Sequence, residues 1–456
     1  MSQQALPVVI IGAGPVGLAA AAHTVARGLV PLVLEAGPKV GDGMRRWGHV
    51  RMFSPWRFGV DSAAAAILAR QGWTMPPADD HPTGNELVAR YLEPLAASRE
   101  LAPHIRLDAR VTAVARQNHD RMKDAGRQEA AFVVRVQSPD GEQEIIARAV
   151  IDASGTIDKP GALGASGLPA LGEGSAAAFI RYGIPDVQGS ERDRYAGRRV
   201  LVAGSGHSAL NALLDLTALA EESPETRVVW VVRRQTLGFL LGGTRQDQLE
   251  ERGKLGTRVR ALLDAGRFEL VTGFRIDRVT VTPEGLVVSA GDRALAPVDQ
   301  AIAATGFRPD WSILSELRLD LDSAVESPRA LAPLIDPNVH SCGTVPPHGA
   351  EELKHPDTNL FVIGMKSYGR APTFLMLTGY EQARSVVSAI AGDWEAARRV
   401  ELVLPETGVC STDRIGDSAS SCCGAAPSEP VTVAFGGLRS RAAASVTAPS
   451  ATTTTC

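Results

Sequence analysis

Cysteine is scarce in this sequence. Its scarcity bears on whether disulfides stabilise the fold and on which cellular compartment the protein suits. The chain has 456 residues and five cysteines, the first of which is Cys342. Disulfides therefore cannot stabilise most of the fold, and a reducing compartment fits the composition best. A hydrophobic content of 44% is ordinary for a globular protein and can supply a sizeable core. We expect a cytoplasmic protein of about two or three domains.

Long apolar runs and an excess of basic residues are also missing. No stretch approaches the roughly 18 uninterrupted apolar residues that a membrane helix needs. Residues 6–22 are apolar, but glycines interrupt them and the basic start of a signal peptide is lacking. A formal net charge of -4 gives no basic surface for nucleic acid, and nine histidines without close pairing give no zinc signature. We predict no membrane span, no nucleic-acid partner and no metal site.

A glycine turn near the start of the chain predicts a dinucleotide site. Residues 7–11 form a strand-like apolar run, Gly12 permits a tight turn, and Pro15 opens an alanine-rich helix. Gly14 lets the backbone approach a pyrophosphate, and Gly17 lets helix and strand pack closely. Glu35 ends the next strand, where a carboxylate can accept both ribose hydroxyls. The motif favours FAD or NAD, because Glu35 disfavours a 2'-phosphate.

A second glycine turn, residues 204–209, lies in the same strand-to-helix context, with Ala209 as an allowed replacement for the third glycine. Its second strand ends in Arg233 and Arg234 instead of an acid. Two guanidinium groups suit a 2'-phosphate and favour NADPH over NADH, although they can also be merely solvated. His207 lies in the phosphate turn and is better placed to face cofactor or solvent than to be catalytic. The residues predicted to bind this nucleotide are Gly204, Ser205, Gly206, His207, Ser208, Arg233 and Arg234.

These motifs predict an α/β fold with two nested Rossmann-type dinucleotide-binding domains. Strand and helix patterns return near residues 360–391, after the second unit, so the first domain is discontinuous. We predict a first dinucleotide-binding domain of residues 1–165 and 325–404, with a second dinucleotide-binding domain of residues 166–324 inserted. Residues 405–456 are rich in small and polar residues and predict a disordered tail that contains cysteines.

The pair of units resembles the two-dinucleotide-binding-domain flavoproteins, which include flavin-containing monooxygenases, N-hydroxylating monooxygenases and thioredoxin reductases. Three further motifs carry the resemblance over about residues 7–400: Ala-Ser-Gly at 153–155, Ala-Thr-Gly at 304–306 and Gly-Met at 364–365. The resemblance implies that residues 1–165 and 325–404 are an FAD-binding domain and that residues 166–324 are an NADPH-binding domain, from which NADPH delivers hydride to the flavin. The cofactor-binding residues that it adds are Trp47, Val111, Ser154, Gly155, Ala304, Thr305, Gly306, Gly364 and Met365.

Three departures from these families narrow the function. The second unit has no Cys-x-x-Cys pair, which excludes the dithiol relay of thioredoxin reductases. Residues 179–187 lack the histidine of the Phe-x-Gly-x-x-x-His fingerprint of flavin-containing and Baeyer–Villiger monooxygenases. Met365 stands where these flavoproteins usually carry the aspartate of Gly-Asp, so one ribityl contact must be made differently or lost.

The resemblance is strongest to monooxygenase-like flavoproteins encoded beside arsenic-resistance genes, through residues 51–56 and the cysteine-bearing end. It implies that oxygen forms a flavin C4a-hydroperoxide and that a small soft nucleophile takes one oxygen atom. The side chains of Phe53, Pro55 and Trp56 can line the flavin site, or they can be ordinary residues of the hydrophobic core. We predict Trp56 and Cys342 as catalytic residues, with Cys342 as a redox or substrate thiol, unless it is simply a small buried hydrophobic residue.

The tail cysteines suggest a soft ligand. Thiolates suit soft metals, and Cys410, Cys422 and Cys423 would by the same logic suit trivalent arsenic, unless the tail is unselected. The expected partners are a small-molecule substrate and a trivalent arsenical at these cysteines. Whether the protein forms a homodimer is left as an open alternative. Two alternatives to a monooxygenase stay open as well: an NADPH-dependent reductase or oxidase acting on thiols or quinones, and a redox- or metalloid-sensing flavoprotein.

Overall fold

The computed structural model describes residues 6–237, 250–338, 345–372 and 374–402. Cys342 and the predicted tail, with all its cysteines, lie outside the described residues. The strands are β1 Val8–Ile11, β2 Pro31–Leu34, β3 Ile105–Arg106, β4 Arg110–Arg116, β5 Phe132–Ser138, β6 Gly141–Ala147, β7 Ala149–Asp152, β8 Ile180–Tyr182, β9 Arg199–Ala203, β10 Arg227–Val231, β11 Glu269–Val271, β12 Arg278–Thr282, β13 Gly285–Ala290, β14 Arg293–Ala294, β15 Gln300–Ala303 and β16 Leu360–Val362.

The helices connect and cover these strands. They are α1 Pro15–Ala26, α2 Asp42–Arg45, α3 Trp56–Gly59, α4 Ser62–Ala69, α5 Gly84–Leu87, α6 Glu93–Ala96, α7 Arg192–Tyr195, α8 His207–Glu222, α9 Glu250–Asp264, α10 Ala332–Ile335, α11 Ala350–Leu353, α12 Met376–Ile390 and α13 Trp394–Arg398. A π-helical turn, Val88–Leu92, joins α5 to α6, and short 3-10 turns occupy Ala102–His104, Ala177–Phe179, Ser312–Leu314 and Gly364–Tyr368. None of the described helices is long and apolar enough to span a membrane.

The first sheet is parallel and has the order β16-β7-β1-β2-β3. Its central strand β1 is apolar throughout and fully buried, as a parallel strand covered on both faces must be. Val8 and Ile10 pack in one cluster with side chains of α1, α4 and α12. Val9 and Ile11 pack on the other face with the antiparallel sheet β4-β5-β6. Because β16 comes from the far end of the described chain, this sheet is discontinuous in sequence.

The second sheet repeats the plan with the parallel order β11-β10-β9-β15-β8. Val200 and Val202 face the helices α8 and α9, whereas Leu201 and Ala203 face the antiparallel sheet β12-β13-β14. All its strands lie between residues 180 and 303, within the interval between β7 and β16. The prediction of an α/β fold with two nested Rossmann-type units is therefore confirmed, whereas the exact domain boundaries stay predictions.

Candidate nucleotide-binding sites

The first glycine turn joins β1 to α1 and is shaped by close backbone approach. Gly12 has φ +100°, and a Cβ atom there would lie 2.9 Å from the carbonyl oxygen of Ala153. A Cβ at Gly17 would overlap the carbonyl oxygen of Gly12. Gly14, the N-cap of α1, has open space where its side chain would be and supplies no capping group. The turn thus leaves the first amides of a 12-residue helix facing open space, as a phosphate site requires.

Glu35 follows β2 and lies against this turn. Its Oε2 accepts the Ala13 amide at 2.7 Å, and its Oε1 accepts the Gly37 amide at 2.8 Å. Burial raises the pKa of the Glu35 carboxyl, and the two amides oppose that rise. Each carboxylate oxygen can accept a further hydrogen bond, so the group can still receive ribose hydroxyls in the predicted way.

A buried ion pair lies at the carboxyl end of the same sheet. No pattern in the sequence predicts this pair. Lys366 Nζ lies 2.6 Å from Asp152 Oδ2 and 3.2 Å from Ser154 Oγ. Ser154 in turn donates its hydroxyl and its amide to Asp152 Oδ1, at 2.6 and 3.0 Å. Both charged side chains are almost fully buried. The pair therefore links the Ala-Ser-Gly turn to the Gly-Met turn. Gly155, which follows Ser154, has φ +71° and open space at its Cβ position.

The Gly364 turn after β16 is fixed from behind by a buried polar network. Gly364, with φ +71°, donates its amide to Gln382 Oε1 at 2.7 Å. Gln382 Nε2 donates to His348 Nε2 at 2.9 Å and to Ser367 Oγ at 3.0 Å. Since His348 Nε2 accepts, its Nδ1 carries the proton donated to Pro346 O at 3.0 Å. Burial lowers the pKa of His348, in agreement with the neutral ring that these hydrogen bonds require. Met365 is half-buried beside this turn.

The second glycine turn joins β9 to α8. Gly204 has φ +130°, and a Cβ there would overlap the carbonyl oxygen of Ala304. The Trp230 indole donates to the Gly204 carbonyl at 2.7 Å and holds the turn. Gly206, the N-cap of α8, has open space at its Cβ position and no capping side chain. The third motif position, Ala209, is fully buried.

The arginines predicted to read the 2'-phosphate follow β10. Arg233 is exposed and Arg234 is half-buried. The Arg234 carbonyl accepts the Gly273 amide at 2.6 Å, and the Val232 carbonyl accepts the Phe274 amide at 3.1 Å. The strand end is therefore held in place, and both side chains start at the carboxyl edge of the sheet, where the Gly204 turn also lies. Ser205, His207 and Ser208 are partly exposed on the same turn.

The Ala-Thr-Gly segment pairs with the chain that enters the second unit. Gly161 donates its amide to the Gly306 carbonyl at 2.7 Å, and the Thr305 hydroxyl donates to the Gly161 carbonyl at 2.5 Å. Pro160 and Phe307 form an isolated bridge. The segment that enters the second unit and the segment that leaves it therefore bond directly to each other. They lie beside the Gly204 turn, which Ala304 contacts.

The aromatic residues predicted near the flavin occupy different environments. Trp56 is 2% exposed in the core cluster, with the Arg90 guanidinium 5.6 Å from its ring. That burial favours an ordinary core role, and the catalytic role of Trp56 stays a prediction. Trp47 is half-buried and faces Gly84, whose Cβ position lies 3.2 Å from it. Val111 is buried in β4. The ring of Phe53 lies 5.5 Å from the ring of His207, so residues 51–56 reach the second glycine turn.

Comparison with known proteins gives both a family and a fold. The family described as pyridine nucleotide-disulphide oxidoreductases matches residues 9–340. An indole-3-pyruvate monooxygenase, YUCCA1 from Oryza sativa subsp. japonica, is 29% identical over 214 residues, which are 46% of this chain and 44% of that protein. The match thus spans less than half of that relative.

Solved structures share the fold. A bacillithiol disulfide reductase from Bacillus cereus superposes with a TM-score of 0.61 and 22% identity, over 85% of this chain and 99% of that one. A Kutzneria ornithine N-hydroxylase, solved with reduced FAD, NADP+ and L-ornithine, gives a TM-score of 0.55 and 17% identity, over 84% and 98%. The predicted likeness to flavin-dependent monooxygenases is confirmed, and the arsenic connection is not shown by any of these matches.

Proposed function

Because the chain belongs to the pyridine nucleotide-disulphide oxidoreductase family, we propose that it is an FAD-dependent oxidoreductase that uses NADPH. One observation carries the proposal: two glycine turns of the same shape are followed by unlike residues. Glu35 stands at the first turn, and Arg233 with Arg234 stands at the second. A carboxylate accepts ribose hydroxyls and repels a 2'-phosphate, whereas guanidinium groups attract that phosphate. The bound cofactors in the Kutzneria structure support the same pair.

The described residues fit the two cofactors. Gly14 and Gly206 leave open space at the N-termini of α1 and α8, where a pyrophosphate would bind. The Gly364 turn, held by Gln382, would contact FAD beyond the pyrophosphate. FAD, when bound, supplies the electron transfer from nicotinamide to oxygen or another acceptor. Phe53 and His207 lie where the two units meet and would help to exclude water there.

We further propose that the reaction is the oxygenation of a small soft nucleophile. The likeness to indole-3-pyruvate and ornithine monooxygenases supports an oxygen-using reaction. The soft substrate and a trivalent arsenical rest on the sequence resemblance and on tail cysteines outside the described residues. The FAD- and NADPH-binding residues, the cytoplasmic location and the homodimer likewise stay predictions.

The experiment is to measure NADPH oxidation, oxygen uptake and hydrogen peroxide release together. Purified FAD-loaded protein is assayed with small amines, thioethers, arsenite and organoarsenicals. A monooxygenase consumes one oxygen molecule per NADPH and forms an oxygenated product with little peroxide. If no substrate stimulates NADPH oxidation, and hydrogen peroxide is released in an amount equal to the NADPH consumed, the proposed oxygenation is wrong.

A reductase of thiols or quinones is the second candidate, because the bacillithiol disulfide reductase shares the fold over almost its whole length. The same assay without oxygen separates the two. A reductase keeps oxidising NADPH when a disulfide or quinone is supplied anaerobically, whereas a monooxygenase, which then lacks its electron acceptor, oxidises about one NADPH per FAD and stops. If the acceptor is a disulfide, the Cys342→Ser variant tests whether that cysteine is the reacting thiol.

A further inference from the structure

Arg308 is a cation that the proposed function leaves without a role. It follows the Ala-Thr-Gly segment and is half-buried, with its amide bonded to the Lys159 carbonyl at 2.8 Å. Within the described ranges, the Arg308 side chain has no ion pair and no hydrogen bond, and the same holds for Arg233. A half-buried guanidinium without a counter-ion is unfavourable unless an anion binds there.

A glycine loop lies against the Arg308 side chain. The Cβ position of Gly167, which has φ +85°, lies 3.0 Å from Arg308 Nη2, so a larger residue there would meet the guanidinium. This loop is tied to the segment between β11 and β12, since Ala165 donates its amide to the Ile276 carbonyl at 2.8 Å. In the same segment, Gly273 and Phe274 donate their amides to the carbonyls of residues that directly follow β10. The Arg308 guanidinium therefore lies on the side of the sheet where Arg233 begins.

The local charge is positive. Burial lowers the pKa of Arg308, the positive charges of Arg370 and Arg233 lower it further, and Glu326 acts in the opposite direction. Glu326 Oε1 is already bonded to Arg370 Nη2 at 2.6 Å. Arg308 thus feels two positive charges and one carboxylate that Arg370 already pairs with, which leaves an excess of positive charge for a bound phosphate.

We propose that Arg308 joins Arg233 in binding the 2'-phosphate of NADPH and is a specificity-determining residue at this site. The inference rests on the proposed use of NADPH. The pyrophosphate is the alternative anion, but it belongs to the Gly204 turn and the amides of α8, which already supply its donors. Arg308 supplies instead a second fork to the one phosphate that distinguishes NADPH from NADH.

The test compares kcat/KM for NADPH and NADH in the wild type and in Arg308→Ala, Arg308→Lys, Arg233→Ala and the double variant Arg233→Ala/Arg308→Ala. Arg135→Ala, which removes an exposed arginine from β5 of the first unit, controls for net charge. Arg308→Ala is expected to lower kcat/KM for NADPH at least tenfold and to change the value for NADH less than threefold. Arg308→Lys recovers only part of the loss. Inhibition by 2',5'-ADP weakens in parallel, whereas inhibition by 5'-ADP does not.

Two results would overturn the assignment. An equal loss for both nucleotides would place Arg308 at the pyrophosphate, and no loss for either would leave it without a nucleotide role. A wild type that shows no preference for NADPH contradicts the proposed function itself. The wild type is therefore assayed with both nucleotides before any variant is compared with it. Bound FAD, measured at 450 nm in every variant, identifies those that misfold, and Arg308→Lys then carries the test.

Discussion

At the residue scale, the glycines of the two turns are the part of the site that sequence alone could identify. Their spacing reflects backbone contacts that any Cβ would break, and the structure shows these contacts at Gly12, Gly17 and Gly204. Lys366, Gln382 and Arg308 could not be found in this way. Each acts through a partner distant in sequence, and a lysine after Gly-Met carries no local sign that it will be buried against Asp152.

Replacing Gly17 by alanine tests the first turn. The new Cβ would overlap the Gly12 carbonyl, so α1 must move away from β1 and the phosphate site opens. We expect the bound FAD to fall at least tenfold, measured as flavin absorbance per protein. Gly174→Ala is the matched control, because its Cβ position is open, and it should keep full FAD content.

The Lys366–Asp152 pair gives a second prediction at this scale. Lys366→Met leaves a buried carboxylate without its partner and should lower the free energy of unfolding by about 3–5 kcal/mol. The double variant Lys366→Met/Asp152→Asn removes both charges and should recover most of that loss. Urea unfolding of the two variants measures both values, and equal destabilisation in the double variant would show that the charge pair is not the cause.

At the element scale, the parallel units were predictable because apolar strands, glycine turns and helices recur in a fixed order. Single-residue boundaries were not. Residues 145–151 form one apolar pattern in the sequence, but the chain breaks it near Arg148 between β6 and β7, which belong to different sheets. The edge strand β8 has only three residues and leaves no signal in the sequence, since so short a segment carries no period.

The network behind the Gly364 turn gives a prediction at this scale. Gln382→Leu removes the acceptor of the Gly364 amide and the donor to His348, while the volume of the side chain is nearly kept. A turn freed in this way should bind FAD about tenfold more weakly, as a lost buried hydrogen bond of ~1–2 kcal/mol implies. Isothermal titration of the apoprotein with FAD measures the change. An unaltered dissociation constant would mean that the turn does not contact the cofactor.

At the scale of the whole molecule, buried histidines set the response to acid. Burial lowers the pKa of His355 to about 4, and that of His348 is lowered too. An unfolded histidine titrates near 6.5, so the unfolded chain binds more protons between about pH 6.5 and 4, and stability falls as pH falls through this window. Asp215 acts in the opposite sense, because burial raises its pKa to about 6 and its stabilising contribution is lost as pH rises from about 4 to 6.

We therefore expect the free energy of unfolding in urea to be lower at pH 5 than at pH 7.5. His355→Gln should reduce the difference, since glutamine can still accept the Asp320 amide that His355 Nδ1 accepts at 3.2 Å. Asp215→Asn should enlarge it. If the pH dependence is the same in all three proteins, these buried groups do not control acid stability.

Anaerobic reduction of the bound flavin, followed at 450 nm after mixing with NADPH or NADH, distinguishes the two nucleotide sites from each other. Two unequal nucleotide sites should give about one FAD per chain, rapid bleaching by NADPH and a rate with NADH at least tenfold lower at equal subsaturating concentration. The same inequality predicts that Arg233→Ala brings the two rates together by slowing the reaction with NADPH. Protein that binds no flavin, or that is reduced equally well by both nucleotides, would contradict this assignment of the two sites.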